Sequence, residues 1–575
     1  MDVYKLHCTS GLSVMIEKLI IKFGSAKNAE PLTVNVTPVT LFVGPNNSGK
    51  SQFLIEIENY CRTTQGRVTD ILLETIQFTA YTKDDIEKEL KDIEQTPTAG
   101  EVVQPGHIVI GKVNPQNNQA ARVNIQRDNL IQEAQTPNVR RGFYAQFLNL
   151  YTVRLDGLSR LNLLTEQNAG DLLHTPTNHL ARLFIENGLR EQVRRIVFDA
   201  FSRYFVIDPT NIGKLRVRLA HRAPLDETEE KGWGNTSIQF HKDAIDIRTA
   251  SDGVRAFAGI ITAIIAGDPK IILIDEPEAF LHPSLAGKLG KEISQLLRQT
   301  HKRFFASTHS ASFLMGCIQS GVHLNIVRLT YNYNNPTARL LPTDKILPLM
   351  RHPLLRSSGV LSALFYDVVV VSEADADRAF YQEINERLLA EGSGRGIGGC
   401  LFINAQNKQT VWNIVKPLRE LGIPVVGIVD IDILKDGGQE WTKVLDGAFI
   451  PESIHPALHV FRQNVLKDLI DTGMDIKRSG GISILDGSKR EAAQNLIEQL
   501  RDYGVFIVPG GELESWLKPL HAAGHGPQWL MDIFQKMGED PNDTSYIRPS
   551  TDDVWDFIGL IKKWAENPIR KGIPE

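Results

Sequence analysis

Cysteine is scarce. Only Cys8, Cys61, Cys317 and Cys400 occur among 575 residues, far apart and in no CxxC or Cys/His spacing. A disulfide framework and a zinc module are therefore not expected, and a reducing compartment fits. Long apolar runs are missing too. The longest, from Ala256 to Gly267, falls well short of the roughly 20 residues that cross a bilayer. The N-terminus has no basic segment leading into an apolar one, so no export signal is expected and a cytoplasmic location without membrane contact follows. Neither sign of charge dominates: 63 Lys and Arg against 68 Asp and Glu leave a net charge of −5. That removes a global electrostatic footprint for nucleic acid but not a local basic face beside acidic metal sites. Internal repeats, low-complexity tracts and sustained heptads are also absent, which excludes a long coiled-coil arm.

What is present is an alternation of strands and helices in a chain too long for one core, so an α/β protein of two or three domains is expected. Alternation predicts a strand over residues 15–23, and a short apolar run predicts a buried strand over Val39–Val43 with a helix from Gly49 to about Cys61. Residues 71–135 mix strand-like pieces with Gln- and Asn-rich turns and are assigned to a β-rich side of the first domain. From residue 157 to 204, apolar residues at three- and four-residue spacing (Leu172, Leu173, Leu180, Leu183, Phe184, Val193, Ile196, Val197) predict a helical insert, either core or a dimerisation element. Strands are expected at Leu215–Leu219 and Ser237–Phe240, flanking an acidic loop over 225–235. A linker is expected over 346–358. Beyond it come strands at Val368–Val371, Cys400–Asn404, Val425–Val429 and Val505–Pro509, with helices at Ala376–Leu389 and Val411–Leu421.

The first chemistry-bearing motif is Gly44-Pro45-Asn46-Asn47-Ser48-Gly49-Lys50-Ser51, which fits GxxxxGK followed by Ser or Thr and lies between a buried strand and a helix. Its glycines let backbone N–H groups of a loop containing Gly44, Asn47 and Gly49 curl around phosphates. Lys50 then meets the β- and γ-phosphates of ATP, and the Ser51 hydroxyl joins a Mg²⁺ shell. The apolar run at 271–274 ends in Asp275 and Glu276, placing two carboxylates at the sheet edge where the phosphates sit. Asp275 is expected to hold Mg²⁺ through water, and Glu276 to polarise the attacking water. Ser251-Asp252-Gly253 precedes a helix, Glu278 to Pro283 reads EAFLHP, and Ser307-Thr308-His309-Ser310 follows a short strand. This order resembles the ABC-type ATPases of the structural-maintenance and recombination-repair group. The resemblance implies that Ser251 and Gly253 cap the γ-phosphate held by an opposite head, that His309 senses that phosphate, that His282 is structural, and that two copies must meet. A transporter is excluded for want of a membrane segment.

The second motif is a set of acids after strands. Asp367-Val368-Val369-Val370-Val371 leads to Glu373, Asp375 and Asp377, and Val425–Val429 leads to Asp430-Ile431-Asp432. Acids converging at the ends of neighbouring parallel strands repel one another unless a divalent cation such as Mg²⁺ or Mn²⁺ neutralises them. The pattern resembles the Toprim domain of topoisomerases, primases and OLD (overcoming lysogenization defect) nucleases. Glu373, Asp377, Asp430 and Asp432 match that family's metal-site acids; Asp375 has no counterpart, and Glu373-Ala374 departs from the more usual Glu-Gly. Gly510-Gly511-Glu512-Leu513-Glu514 resembles the G-x-L-E phrase of OLD Toprim domains, which implies a second metal site using Glu514, with Glu512 the alternative, and a late lysine for which Lys562, Lys563 and Lys408 are candidates. A topoisomerase would need a nucleophilic tyrosine in a cleavage domain, and a primase a zinc module; neither is identifiable.

The expected architecture is thus an ABC/SMC-type P-loop ATPase domain with a helical insert, followed by a Rossmann-like Toprim domain. ATPase halves are expected at 1–150 and 236–345, the insert at 151–235 and the Toprim domain at 360–575. The OLD resemblance implies an ATP-regulated, metal-dependent DNA endonuclease with Glu276, His309, Glu373, Asp430, Asp432 and Glu514 in catalytic roles. It further implies a homodimer or larger assembly serving bacterial antiviral defence, with a helicase or a retron reverse transcriptase as partner. The rival is an ATP-dependent DNA clamp or scaffold of the structural-maintenance type, which needs neither the DxD nor Glu514.

Overall fold

The structure, a computed structural model, describes residues 15–26, 28–97, 100–114, 119–139, 142–173, 175–298, 300–331, 336–351 and 359–574. Cys8 lies outside them, as does 352–358 of the expected linker, whose first residues belong to the helix Thr343–Arg351. Two compact units divide the chain, the first built from 15–24, 28–43 and 49–329, the second from 25–26, 44–48 and 330–574. Among the described residues no helix is long and apolar enough to cross a membrane.

In the first unit, strands β1 (Val39–Val43), β2 (Thr152–Leu155), β3 (Ile271–Asp275), β4 (Arg303–Ser307) and β5 (Leu324–Thr330) pair in parallel in the order β5-β1-β4-β3-β2. They are buried almost throughout, as strands covered on both faces must be, which is why they read as apolar runs rather than alternations. The register sets Asp275 opposite Ser307 and Ser307 opposite Phe42, so β1, β3 and β4 end level at one edge. Antiparallel pieces stand beside this sheet: Ile16–Ile21 pairs with Thr33–Asn35 and Leu73–Phe78, and Tyr204–Asp208 pairs with Lys214–Ala220. The segment 71–135 is less β-rich than expected, since the helices Lys83–Ile93 and Arg127–Gln135 share it with three strands.

Three expectations fail here for physical reasons. Ser237–Phe240 is part of a helix, Asn235–Asp243, whose buried residues Ser237, Phe240 and His241 follow helical spacing rather than alternation. Leu172 and Leu173 lie in a turn, where Asp171 Oδ1 accepts the Leu173 N–H at 2.9 Å, and both side chains are exposed. The acidic segment 225–235 contains the helix Glu227–Lys231, capped by Asp226, and buries Glu230. Glu230 accepts from Arg190 Nε at 3.1 Å, Arg194 Nη2 at 2.6 Å and the Ile207 N–H at 3.2 Å. Truncating one member of a buried ion cluster strands its partners' charge. Glu230→Ala should therefore lower the unfolding free energy by about 3–5 kcal/mol, measured by denaturant titration; a loss under about 1 kcal/mol would mean that the pairs behave as surface ion pairs.

In the second unit, β6 (Val368–Ser372), β7 (Cys400–Asn404), β8 (Val425–Val429) and β9 (Val505–Ile507) form a parallel sheet in the order β7-β6-β8-β9. Val370, Ile428 and Phe506 of this sheet share a core with Phe380 and Ile384 and with Trp529, Trp555 and Ile558 from the last helices, Pro527–Met537 and Asp553–Glu566. On the second of these, Lys563 is exposed, while Lys562 donates to Gly394 O at 2.7 Å and pairs with Glu566.

Candidate functional site

β1 runs into the 44–49 loop, where Gly44, Asn47 and Gly49 have φ of 144°, 60° and 88°. A side chain at Gly49 would also meet Leu72 Cδ1 at 2.8 Å, and the left-handed φ is what favours glycine there. Helix α1 (Lys50–Thr63) then opens, with Lys50 buried in its first turn and Ser51 beside it. The level strand ends place Ser51 Oγ 2.8 Å from Asp275 Oδ1, and the Ser307 hydroxyl donates to the same oxygen. Glu276 follows with a left-handed φ of 49°, its N–H donating to Ser307 O at 3.0 Å. His309 Nε2 lies 3.7 Å from Glu276 Oε1. Burial and the nearby Lys50 hold His309 below the usual imidazole range, so the neutral ring is favoured. Glu278 Oε1 accepts from the His309 N–H at 2.9 Å and Thr308 Oγ1 at 2.8 Å, fixing the segment that carries His309.

Ser251 immediately precedes helix α2 (Asp252–Ala266), and a side chain at Gly253 would sit 2.7 Å from Phe280 O, so the start of α2 packs on the turn after Glu276. Arg160 was not anticipated. It is buried, donating to Asp275 O at 2.8 Å and also to Glu276 O, and so holds the backbone of both acids. Its only sequence signal is a lone arginine in an apolar stretch, GLSRLNLL.

The second site lies at the carboxyl edge of β6, β8 and β9, three neighbouring strands. Ligand oxygens of Glu373, Asp430 and Asp432 lie within 4.8 Å of one another, and so do ligand atoms of Glu512, Glu514 and His525. The Asp430 N–H donates to Glu373 Oε1 at 3.0 Å. Burial, and then the charge of Asp430, push Glu373 up to about 8 and Asp377 up to about 7. Asp430 and Glu512 are also raised, chiefly by burial. Asp432 Oδ1 and Glu512 Oε2 are buried and accept no hydrogen bond. The all-oxygen group of Glu373, Asp430 and Asp432, with a buried oxygen that has no donor and acids raised by burial and by one another's charge, fits a hard divalent cation.

Asp377 spends one oxygen on the Ala374 N–H at 2.9 Å, capping helix α3 (Asp375–Glu391). Asp375, the first residue of α3, pairs with Arg378 and Asn404. Two lysines reach the acids: Lys408 is 3.3 Å from Asp432 and 3.1 Å from Asp436, and Lys477 is 2.7 Å from Asp430 and 3.9 Å from Glu512. Against the cost of burial, Asp430 keeps Lys477 protonated. Lys477 and His525 were not foreseen, because neither lies near the acids in sequence. Lys562 is engaged with Gly394 O and Glu566, and Lys563 is exposed.

Residues 39–315 carry a P-loop ATPase domain, an enzyme module for ATP hydrolysis. Residues 39–315, just under half of the chain, match the family described as AAA domain, putative AbiEii toxin, Type IV TA system. No curated protein matches the chain. Among solved structures, an SMC head bound to the C-winged helix domain of ScpA is 12% identical with a TM-score of 0.34, covering 58% of this chain and 99% of its own. The SMC head domain from Thermotoga maritima is 13% identical with a TM-score of 0.28, covering 57% and 98%. An SMC head with an extended coiled coil, bound to the C-terminal domain of ScpA from Pyrococcus furiosus, is 12% identical with a TM-score of 0.31, covering 58% and 98%.

Proposed function

We propose that the acidic centre is a divalent-metal-dependent DNA nuclease site and that ATP bound by the first unit regulates it. The observation that supports this most is the convergence of acids from three neighbouring parallel strands around buried carboxylate oxygens that lack donors. Glu373, Asp430 and Asp432 would hold one Mg²⁺ or Mn²⁺, and Glu512 and Glu514, near Asp377, a second. Such a pair supplies an activated water and a counter-charge for the departing oxygen of a phosphodiester. The chain's own part is to keep that charge balanced. Lys477 and Lys408 stand as fixed cations on the acids, lowering the repulsion that a polyanionic substrate meets on approach. Asp377 ties the cluster to the start of α3 through its cap.

On the nucleotide side, Lys50 and the 44–49 loop would bind phosphates, Ser51 and Asp275 would hold Mg²⁺, Glu276 would act as base, and His309, 3.7 Å from it, would orient it. Ser251 and Gly253 would serve a second copy's nucleotide, with the part of 151–235 that lies beyond β2, a strand of the ATPase sheet itself, as the dimerisation element between ATPase halves at 1–150 and 236–345, and a Toprim-like domain at 360–575. Service in antiviral defence, beside a helicase or a retron, belongs to the same reading.

Supercoiled plasmid incubated with the full chain tests it. Nicking with Mg²⁺ or Mn²⁺, none with a chelator, and a rate that changes when ATP is added are expected. Failure to cut under any of these conditions would overturn the nuclease reading in favour of a DNA clamp.

A further inference from the structure

A histidine reaches the acids from a loop that carries none of the motif residues. His525 stands between Gly524, with φ of 98°, and Gly526, with φ of 55°. Side chains rarely adopt either conformation, and a Cβ at Gly524 would also meet Gln528 Cβ at 2.9 Å and Trp529 N at 3.1 Å. The two glycines turn the chain back on Glu514. Its Oε1 accepts the Gly526 N–H at 2.7 Å and lies 2.6 Å from His525 Nδ1. Ligand atoms of Glu512, Glu514 and His525 come within 4.8 Å of one another.

Glu512 is the independent sign that something binds here. It is only 7% exposed, and its Oε2 accepts no hydrogen bond, with Lys477 Nζ no nearer than 3.9 Å. A buried carboxylate oxygen without a donor is costly, and a cation between Glu512, Glu514 and the imidazole would remove that cost. The His525 side chain is 66% exposed, so the site is open to exchange with solvent ions.

We propose that His525 is a nitrogen ligand, with Glu512 and Glu514, of a site that takes a transition-metal dication such as Mn²⁺ or Co²⁺ in preference to Mg²⁺. Mg²⁺ demands oxygen ligands in near-ideal octahedra, whereas imidazole suits the later first-row ions. The two ion sites of the centre then differ in kind, since Glu373, Asp430 and Asp432 offer oxygen alone. This inference rests on reading the acidic cluster as a metal centre.

The test is Mn²⁺ binding to the full chain, free of any affinity tag, followed by the EPR signal of the free ion, with pulsed EPR for nitrogen coupling to the bound ion. Wild type, His525→Ala and Asp430→Ala are compared, with thermal melting to confirm folding. Wild type should bind Mn²⁺ at two classes of site and show a nitrogen coupling. His525→Ala should weaken one class at least about tenfold and lose the coupling, while Mg²⁺ competition at the other class is unchanged. Asp430→Ala should keep the coupling. Unchanged affinity and coupling in His525→Ala would overturn the histidine's role and leave the nuclease reading standing. Failure of wild type to bind Mn²⁺ at all would overturn both.

Discussion

Asp430→Ala is expected to reduce metal-dependent plasmid cleavage by about 10³-fold or more, since an ion stabilises transition-state charge by several kcal/mol and each 1.4 kcal/mol or so is tenfold in rate. Asp430 is the joint of the cluster. It belongs to the all-oxygen group, its N–H holds Glu373, its carboxylate pairs with Lys477, and its charge helps raise both Glu373 and Asp377. Removing it both deletes a ligand and leaves Lys477 as a cation pointed at the site. The loss should appear in the cleavage rate at saturating Mg²⁺, with ATP hydrolysis by the first unit retained. Asp375→Ala is the matched control. Its carboxylate is engaged with Arg378 and Asn404, so cleavage should stay within about twofold, because surface pairs of this kind contribute roughly 0–1 kcal/mol. A variant at 430 that still cuts within tenfold of wild type would move the chemistry elsewhere.

Glu276→Gln should lower ATP hydrolysis by about 10²- to 10⁴-fold, the range that a positioned general base contributes, while ATP still binds. Lys50, Ser51 and Asp275 remain, and glutamine keeps the shape of the residue whose carboxylate lies 3.7 Å from His309. Steady-state phosphate release measures the first half and nucleotide retention on a filter the second. Hydrolysis at the wild-type rate would remove Glu276 from the chemistry. Loss of retention would make its role one of binding. Because such a variant holds ATP without turning it over, its plasmid cleavage also reports the sign of regulation: faster cutting means that bound ATP licenses the nuclease, slower that it restrains it.

Strand positions were legible wherever burial on both faces leaves a short apolar run. Val39–Val43, Cys400–Asn404 and Val425–Val429 fall at the expected residues. The acids were legible for the same reason, because a buried strand must release its polar residues at its end, as at Asp275 and Asp430. Residues whose meaning depends on distant partners were not. Glu230 reads as one acid among several in DETEEK until helix Asn187–Phe201 brings Arg190 and Arg194 against it. Lys477 and His525 sit in loops with no periodicity, and only the turn back of the chain carries them to Asp430 and Glu514. The Ser237 helix was misread because its few residues satisfy two periods at once, and nothing local separates them.

The short 3₁₀ turn Ser159–Asn162 touches more than Asp275 and Glu276. Arg255 of α2 donates to Leu161 O at 3.0 Å, and α2 approaches so closely that a side chain at Gly259 would sit 2.9 Å from Arg160 O. The same turn therefore bears on the helix that follows Ser251 and, through the Arg160 guanidinium, on the carbonyls of Asp275 and Glu276. Packed groups with no slack move together. The buried Arg160 therefore joins the start of that helix and the backbone of both acids in one packed network, so that neither can be repositioned without the other's packing being disturbed.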